Sequence, residues 1–377
     1  VYMKVNKKII PTSIIYILFF LTIMSFFNIK LISNLINYYY IYLYGFFSII
    51  LIFFVIKERN FKINTNYFSI YFIYVVLLVF CYFLNNVPLG NLLIMLCMPL
   101  YLFVFENIEI DTKSIKVMFF ALLILFGYLL STLVKNNGVY IYNPNTIAQL
   151  ILYIMILSNY YFKYSKKNIM VVLIFNMLSF YAIYKTNCRN LLAVSLIYLI
   201  ILYIVPKNIL KNVKIQKILF ISIIIVSIII PVFFSYLYVH KSVLNINILF
   251  SSKSIFSGRE KIWTVCINAI QKGNNIITGS NPNNYLENIY KLGYLNYNPH
   301  NISIGILVNY GILIFILFYT ILYNFYNKKK INEKNVYLKY GICMVLLAGC
   351  FENIIFLETF NFMFCLMFLG LNRKEVN

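Results

Sequence analysis

Residues 218–236 read ILFISIIIVSIIIPVFFSY, an apolar run without a charged side chain. An α-helix needs about 20 such residues to cross the hydrocarbon core of a bilayer. In lipid the backbone must satisfy its own hydrogen bonds, so the run predicts a transmembrane helix. The whole chain has the same character: 62% of its 377 residues are hydrophobic and 11% are charged, against about 25% charged residues in soluble domains. This composition excludes a water-soluble fold.

Further apolar runs predict an all-α fold, a polytopic membrane bundle of about twelve transmembrane helices with one large extracytoplasmic loop. The eleventh and twelfth runs also fit a re-entrant arrangement. We divide the chain into helices one to nine (1–236), the loop with an interfacial helix (237–301), and helices ten to twelve with a cytoplasmic tail (302–377). The predicted spans are 9–27, 37–56, 67–84, 89–105, 117–134, 147–161, 169–184, 190–205, 218–236, 302–323, 340–351 and 354–371.

The basic residues predict how the bundle is oriented. The formal net charge of +22 would suit a nucleic-acid partner. However, Lys and Arg occur in short clusters between the apolar runs, for example Lys328, Lys329 and Lys330. With the N-terminus inside, 22 of the 32 basic residues fall in cytoplasmic segments, which is the positive-inside pattern. We therefore expect both termini in the cytoplasm and no nucleic-acid partner.

The segment 237–299 is the one long predicted connection, and long loops often carry binding or catalysis. Within it, Ser257 and Glu260 have the spacing of a capping box, and Ile262, Trp263 and Cys266 follow at helical periodicity. The pattern predicts an interfacial helix from about 258 to 272. Its apolar stripe is expected on the mouth of the bundle or in the lipid interface.

Carboxylates are scarce on the predicted outer face. Asp111, the single aspartate, falls in a cytoplasmic loop. Hard divalent cations need several carboxylate oxygens, so we predict no metal site and a reaction without a metal or another cofactor. A carboxylate within a span is costly and marks a functional or paired site, which applies to Glu358. The outer carboxylates, none paired at short spacing, are Glu260, Glu287, Glu352 and Glu358.

Three basic side chains on the outer face are candidates for chemistry. His300 precedes the tenth span, where an imidazole either exchanges a proton with a substrate hydroxyl or caps the helix. Arg189, at the mouth of the eighth span, either reaches lipid headgroups or acts with Arg259 as two guanidinium forks on a pyrophosphate. Position alone leaves these alternatives open. The second histidine, His240, also falls outside.

Two further outer features carry weaker signals. Asn143, Pro144 and Asn145 are ordinary helix-start residues and also mark a polar end of the sixth span. Cys188 and Cys266 both fall outside, and sequence distance does not decide whether they form a disulfide. The other five cysteines lie within or beside apolar runs and are interpreted as packing residues.

Four short motifs occur in order on the same predicted face: Asn143-Pro144-Asn145, Cys188-Arg189-Asn190, Gly258-Arg259-x-x-Ile262-Trp263 and Pro299-His300-Asn301. In this order they resemble the superfamily of O-antigen ligases and Wzy-type O-antigen or capsular polysaccharide polymerases. The resemblance implies a GT-C-like bundle. It also implies a metal-independent glycosyltransferase that uses an undecaprenyl-pyrophosphate-linked oligosaccharide at the outer face of the bacterial cytoplasmic membrane.

The same resemblance implies roles for particular residues. Arg189 and Arg259 bind the donor pyrophosphate, His300 orients or deprotonates the acceptor hydroxyl, and Asn301 holds the imidazole or the sugar. The expected partners are the lipid-linked oligosaccharide, membrane lipid and a chain-length regulator protein. Further substrate-binding candidates are Asn143, Asn145, Glu260 and Trp263.

Polymerase and ligase share this scaffold and differ in the acceptor, which is another lipid-linked repeat unit or a lipid or protein. We favour the polymerase because the chain has the divergent, motif-poor character expected of polymerases. A lipid-linked oligosaccharide flippase is an alternative of another class, although such transporters usually show two similar halves and short outer loops. Cell-wall polymerases of the shape, elongation, division and sporulation type rely on an extracytoplasmic Asp, which this chain lacks.

Overall fold

The computed structural model describes residues 9–27, 40, 42–51, 53, 65–107, 112–135, 143–240, 249–250, 253–254, 258–272, 276–291, 299–328, 335–356 and 358–371. These residues are almost entirely helical, apart from a hairpin of two-residue strands, β1 (Leu249–Phe250) and β2 (Lys253–Ser254). The helices are α1 (Ile9–Met24), α2 (Tyr42–Leu51), α3 (Thr65–Asn85), α4 (Leu89–Asn107), α5 (Thr112–Lys135), α6 (Pro144–Tyr164), α7 (Ile169–Lys185), α8 (Arg189–Tyr203), α9 (Lys207–Leu210), α10 (Val213–Val239), α11 (Arg259–Lys272), α12 (Asn283–Lys291), α13 (Ile302–Lys328), α14 (Val336–Ala348) and α15 (Glu358–Leu371).

The predicted helical class is confirmed, and each predicted span overlaps one helix, in chain order α1 to α8, α10, α13, α14 and α15. By length and composition, four of the described helices suffice to cross a membrane: α3, α5, α10 and α13. Seven shorter apolar helices accompany them. The chain is therefore an integral membrane protein, while the count of twelve crossings stays a prediction.

Several helix ends differ from the predicted spans. Helix α10 begins at Val213, five positions before the predicted span, because helical hydrogen bonding continues through the polar residues Lys214 and Gln216, whereas hydropathy marks only the apolar part. Glu358, which was predicted within a span that begins at 354, is the first residue of α15. The chain makes turns between Gly349 and Phe356, which delay the start of this helix.

The helix predicted from about 258 to 272 is confirmed as α11, and its apolar stripe packs on the bundle, while its position at the membrane interface stays a prediction. Ile262 and Cys266 are buried in a cluster with Tyr285 and Ile289 of α12 and with the first turns of α13. Along its length α11 also packs against α10. Helix α12 was not predicted from the sequence. The feature that could have predicted it is the pair Tyr285 and Ile289, which are four residues apart, lie on one face of the helix and are buried.

Helix α13 is interrupted at Gly311, where φ is 78° and ψ is −177°. Residues 276–280 of the long loop lie against this break. Their backbone replaces helical hydrogen bonds: the Ser280 amide donates to the Val308 carbonyl (2.7 Å), and the Ile312 amide donates to the Ile276 carbonyl (2.8 Å). A Cβ at Gly311 would lie 2.1 Å from the oxygen of Ile277, so only glycine fits.

This contact attaches the long loop to the bundle. Gly279 also has a positive φ, and a Cβ there would lie 2.5 Å from the Asn309 backbone. From α3, the Asn85 side chain donates to the carbonyls of Thr278 (2.6 Å) and Asn309 (3.0 Å). Irregular backbone at such depth is tolerated because protein groups satisfy it. The loop therefore holds the N-terminal half of α13, which begins two residues after His300, in a defined position.

Candidate active site

Arg259, Glu352 and His300 form a cluster at the meeting point of α11, the turn after α14 and the start of α13. The Nη2 group of Arg259 donates to Oε1 of Glu352. Nδ1 of His300 lies 3.3 Å from Oε2 of the same carboxylate. The side chains of Arg259 and Glu352 are 10% and 3% exposed, whereas that of His300 is 30% exposed. His300 is therefore the member of the cluster that reaches the surface.

The guanidinium of Arg259 has a second nitrogen without a partner. Its Nη1 is buried and makes no hydrogen bond in the structure, and the same is true of Oε2 of the neighbouring Glu260. A buried donor without an acceptor costs about 1–3 kcal/mol, and more on a charged group. Such an atom is an indication of a ligand that completes the site. For a cationic N–H, an anionic oxygen is the matching acceptor.

The backbone before Arg259 explains how this side chain is presented. Gly258 has φ 87°, a left-handed conformation that turns the chain into α11. Arg259 is then the first residue of this 14-residue helix. The N-terminus of a helix carries partial positive charge, which adds to the charge of the guanidinium. The electrostatics of this helix start therefore favour an anion.

His300 has an uncommon backbone conformation, with φ 51°. Non-glycine residues in this region cost about 1–3 kcal/mol and are kept only when the surroundings enforce them. Trp263 provides one restraint, because its indole Nε1 donates to the carbonyl of Pro299 at 2.9 Å. Since Trp263 is fully buried, it acts on the segment that carries His300.

Asn301 provides the second restraint. Its Nδ2 donates to the carbonyls of Ser227 and Cys350, both at 2.8 Å, and its Oδ1 accepts from the Ile304 amide at 2.8 Å as the N-cap of α13. The side chain is fully buried and binds backbone groups, not the ring of His300. His300 is thus held between two side chains that anchor its neighbours.

Arg189 lies at the start of α8, and its side chain is exposed. The residue before it, Cys188, is buried close enough to the cluster to be influenced by it. The pKa of the Cys188 thiol is raised to about 11, mainly by burial; the negative charge of Glu352 also raises it, while Arg259 lowers it. Cys188 thus lies within electrostatic range of Glu352 and Arg259.

The remaining candidates lie at helix ends. Asn143 is the N-cap of α6, as its sequence suggested, and accepts from the Asn145 amide at 2.9 Å. The described contacts do not join either asparagine to the cluster. His240 ends α10, with Nδ1 2.9 Å from the carbonyl of Tyr236.

The cysteines and carboxylates were also considered as cross-links and metal ligands. All seven cysteines are buried free thiols, so Cys188 and Cys266 are not joined. Within the described part of the chain, no group of three or more His, Cys, Asp or Glu side chains could hold a metal ion. The side chains of Arg259, Glu352 and His300 themselves offer a cationic donor, a carboxylate and an imidazole, which are groups for binding an anion and for transferring a proton.

The contacts of Glu352 with Arg259 and His300 were not predicted from the sequence. Glu352 appeared there as one of several scattered outer carboxylates, yet it joins Arg259, 93 positions away, to His300, 52 positions away. In the sequence, Glu352 could have been recognised only by its position in the short connection at the predicted outer end of the eleventh span. No spacing rule relates it to either partner.

Comparison with known proteins bears on residues 174–319, which match the family model Wzy_C, described as O-antigen ligase. The match contains Arg189, Arg259, Trp263, His300 and Asn301, while Glu352 lies outside it. No curated protein and no solved structure matches the chain. Residues 174–319 of this chain are therefore similar to the O-antigen ligase family, and the described part of the chain carries apolar helices long enough to cross a membrane.

Proposed function

We propose that this protein is a polysaccharide polymerase. It joins undecaprenyl-pyrophosphate-linked oligosaccharide repeat units, for O-antigen or capsule, at the outer face of a bacterial cytoplasmic membrane. The observation that carries the proposal is the cluster of Arg259, Glu352 and His300, which combines an anion-binding group that lacks a partner with an imidazole backed by a carboxylate. The proposed bundle has about twelve crossings in a GT-C-like arrangement, with both termini in the cytoplasm.

In this proposal the two arginines, Arg189 and Arg259, bind the pyrophosphate of the donor. Nη1 of Arg259 donates to a pyrophosphate oxygen, and Arg189 at the start of α8 supplies the second guanidinium. Negative charge grows on this pyrophosphate as the bond from the anomeric carbon to the leaving oxygen breaks. Fixed donors placed at the position where charge develops stabilise the transition state more than the ground state. The electron pair of the broken bond leaves with the pyrophosphate.

In this proposal His300 acts on the acceptor sugar. A hydroxyl of the acceptor sugar attacks the anomeric carbon, and its proton passes to the imidazole as the new glycosidic bond forms. With the ring proton on Nδ1, directed to Glu352, the lone pair on Nε2 takes the hydroxyl proton. Glu352 orients this tautomer and stabilises the imidazolium that results, as carboxylates do in other proton-transfer sites. The step needs no metal and no cofactor.

Roles for the other candidates follow from their positions. Trp263 and Asn301 act on substrate through the backbone of His300. Asn143, Asn145 and Glu260 are proposed to line the path of the glycan at the outer mouth. A chain-length regulator is the proposed protein partner. We prefer the polymerase to a ligase because the chain is motif-poor outside the shared features, and the test below separates the two.

The test is surface glycan length in a host whose own polymerase is deleted. Complementation with the intact chain should give long glycans, whereas Arg189→Ala, Arg259→Ala and His300→Ala should leave single repeats on the surface. His240→Ala is the matched histidine control and should behave as the intact chain. Long glycans in all three variants would disprove the mechanism. Loss of all surface glycan in the variants would favour the ligase or a flippase instead.

A further inference from the structure

A cleft of about 470 Å³ opens beside the candidate active site. The start of α4, the outer half of α13 and the turn after α14 form its walls. Pro299 and Asn353 both line it, and they are the immediate neighbours of His300 and Glu352. The cleft therefore lies next to the cluster of Arg259, Glu352 and His300.

The lining of the cleft is uncharged, and it combines three amide side chains with a larger apolar surface. Asn91 of α4, Asn309 of α13 and Asn353 line it from three different elements, and Phe356 adds an aromatic ring. No Lys, Arg, Asp or Glu occurs among the described residues that line it. An amide offers both a donor and an acceptor, as a pair of adjacent sugar hydroxyls requires. This set suits a neutral, hydroxyl-rich ligand and does not suit a pyrophosphate.

Asn309 is held in place before any ligand arrives. Its Oδ1 accepts a hydrogen bond from the Tyr285 hydroxyl, and its backbone carbonyl accepts from Asn85 at 3.0 Å. It stands two residues before the break at Gly311, where the long loop is attached. Binding groups that are already ordered lose little entropy when the ligand binds. The buried amide of Asn309 therefore has the properties of a recognition group.

We infer that this cleft binds the terminal neutral pyranose of the acceptor, and that Asn91, Asn309 and Asn353 determine which sugar it accepts. The inference rests on the proposed function, in which His300 takes the proton of the acceptor hydroxyl. The donor pyrophosphate has its own partner in Nη1 of Arg259, outside the cleft. Because Pro299 and Asn353 in the cleft wall are the chain neighbours of His300 and Glu352, a sugar in the cleft lies beside the imidazole.

Trp263 allows the binding to be measured directly, because it is the only tryptophan of the chain and its indole is hydrogen-bonded to Pro299 in the cleft wall. The purified full-length protein is titrated with methyl glucoside, methyl galactoside, methyl mannoside and methyl N-acetylglucosaminide. Geranyl pyrophosphate is titrated separately as the donor probe. At least one glycoside should change the emission saturably. Asn91→Leu and Asn353→Leu should raise its dissociation constant at least tenfold.

The controls separate recognition from folding. Asn283→Leu, an exposed asparagine at the start of α12 that does not line the cleft, should bind as the intact chain does. The dissociation constant of geranyl pyrophosphate should stay within twofold in Asn91→Leu and Asn353→Leu. Equal melting temperatures establish that the variants fold.

Three results overturn the inference: no saturable response to any glycoside, unchanged glycoside binding in both variants, or an equal loss for glycoside and pyrophosphate. An equal loss for glycoside and pyrophosphate would show that the substitutions distort the cleft and the pyrophosphate site together. A glycoside response without any pyrophosphate response supports the cleft and contradicts the donor site of the proposed function.

Discussion

Glu352→Gln is the substitution that tests the candidate site most directly. Glutamine keeps the volume and one acceptor oxygen, but it removes the charge that faces both Arg259 and His300. A hydrogen bond to a charged group contributes about 1.5–3 kcal/mol, against about 1 kcal/mol for a neutral one. Arg259 and Glu352 are both buried, so little solvent screening reduces this difference. We expect the free energy of unfolding to fall by about 1–2 kcal/mol.

The effect on turnover should be larger. General acid–base catalysis by a positioned side chain contributes about 10²–10⁴-fold to rate, and Glu352 orients the imidazole that performs it. We therefore expect kcat to fall by about 10²–10⁴-fold, with a smaller change in KM. Glu287→Gln is the matched control, because this carboxylate is exposed and pairs with Lys291 on α12. It should retain the activity of the intact chain.

The assay uses the purified protein in detergent or nanodiscs, with a lipid-pyrophosphate-linked repeat unit as substrate and product length read on a gel. Melting temperature is measured on the same samples. In a double-mutant comparison, Glu352→Gln added to His300→Ala should cost little more than His300→Ala alone, because the two residues act as a unit. Turnover of Glu352→Gln within threefold of the intact chain would refute the assigned role.

The other predictions concern the supports of the site. Gly311→Ala should lower the free energy of unfolding by about 2–4 kcal/mol, because the positive φ strains alanine and its Cβ clashes with the loop backbone. Gly127→Ala is the control: its Cβ meets nothing within 4 Å, so the melting temperature should be unchanged or raised. Asn301→Ala should cost about 2–4 kcal/mol through the lost cap and buried unpaired carbonyls, and should lower kcat more than it raises KM, which steady-state kinetics would measure. Burial raises the pKa of Cys188 from 9.0 to about 11 and that of Cys266 to about 12. At pH 8 maleimide should therefore label these two thiols at least about 100-fold more slowly in the folded protein than in the unfolded chain. Equal labelling rates would contradict the burial of the two thiols.

Helix positions were accessible from the sequence because their causes are local. The run of apolar residues in each predicted span overlaps a helix, and the helix predicted from about 258 begins at Arg259. Ser257 of the predicted capping box lies outside the described residues. The ends were less accurate, as α10 continues through Lys214, because hydrogen bonding does not stop where hydropathy falls. Glu358 was placed within a span because the turns before it leave no hydropathy signal.

The roles of site residues were accessible only in part. The sequence identified Arg259 and His300, and the structure joins them through a carboxylate. Trp263 and Asn301 were predicted to bind substrate, or in the case of Asn301 to hold the imidazole or the sugar. The structure shows them bonded to the backbone on either side of His300 and between helices. Nothing in their spacing distinguishes a ligand contact from a restraint, since both need a polar side chain at the same place.

By itself, the sequence determined that this is a helical membrane protein, where its helices lie and which loop is long. Those properties follow from the match between side chains and lipid and from hydrogen bonds that span four residues. Only the tertiary structure decided that α13 breaks at Gly311 under the long loop, and that Glu352 meets Arg259 and His300. These contacts join segments dozens of residues apart, and they depend on how helices pack against one another. The periodicity of a single chain does not encode that packing.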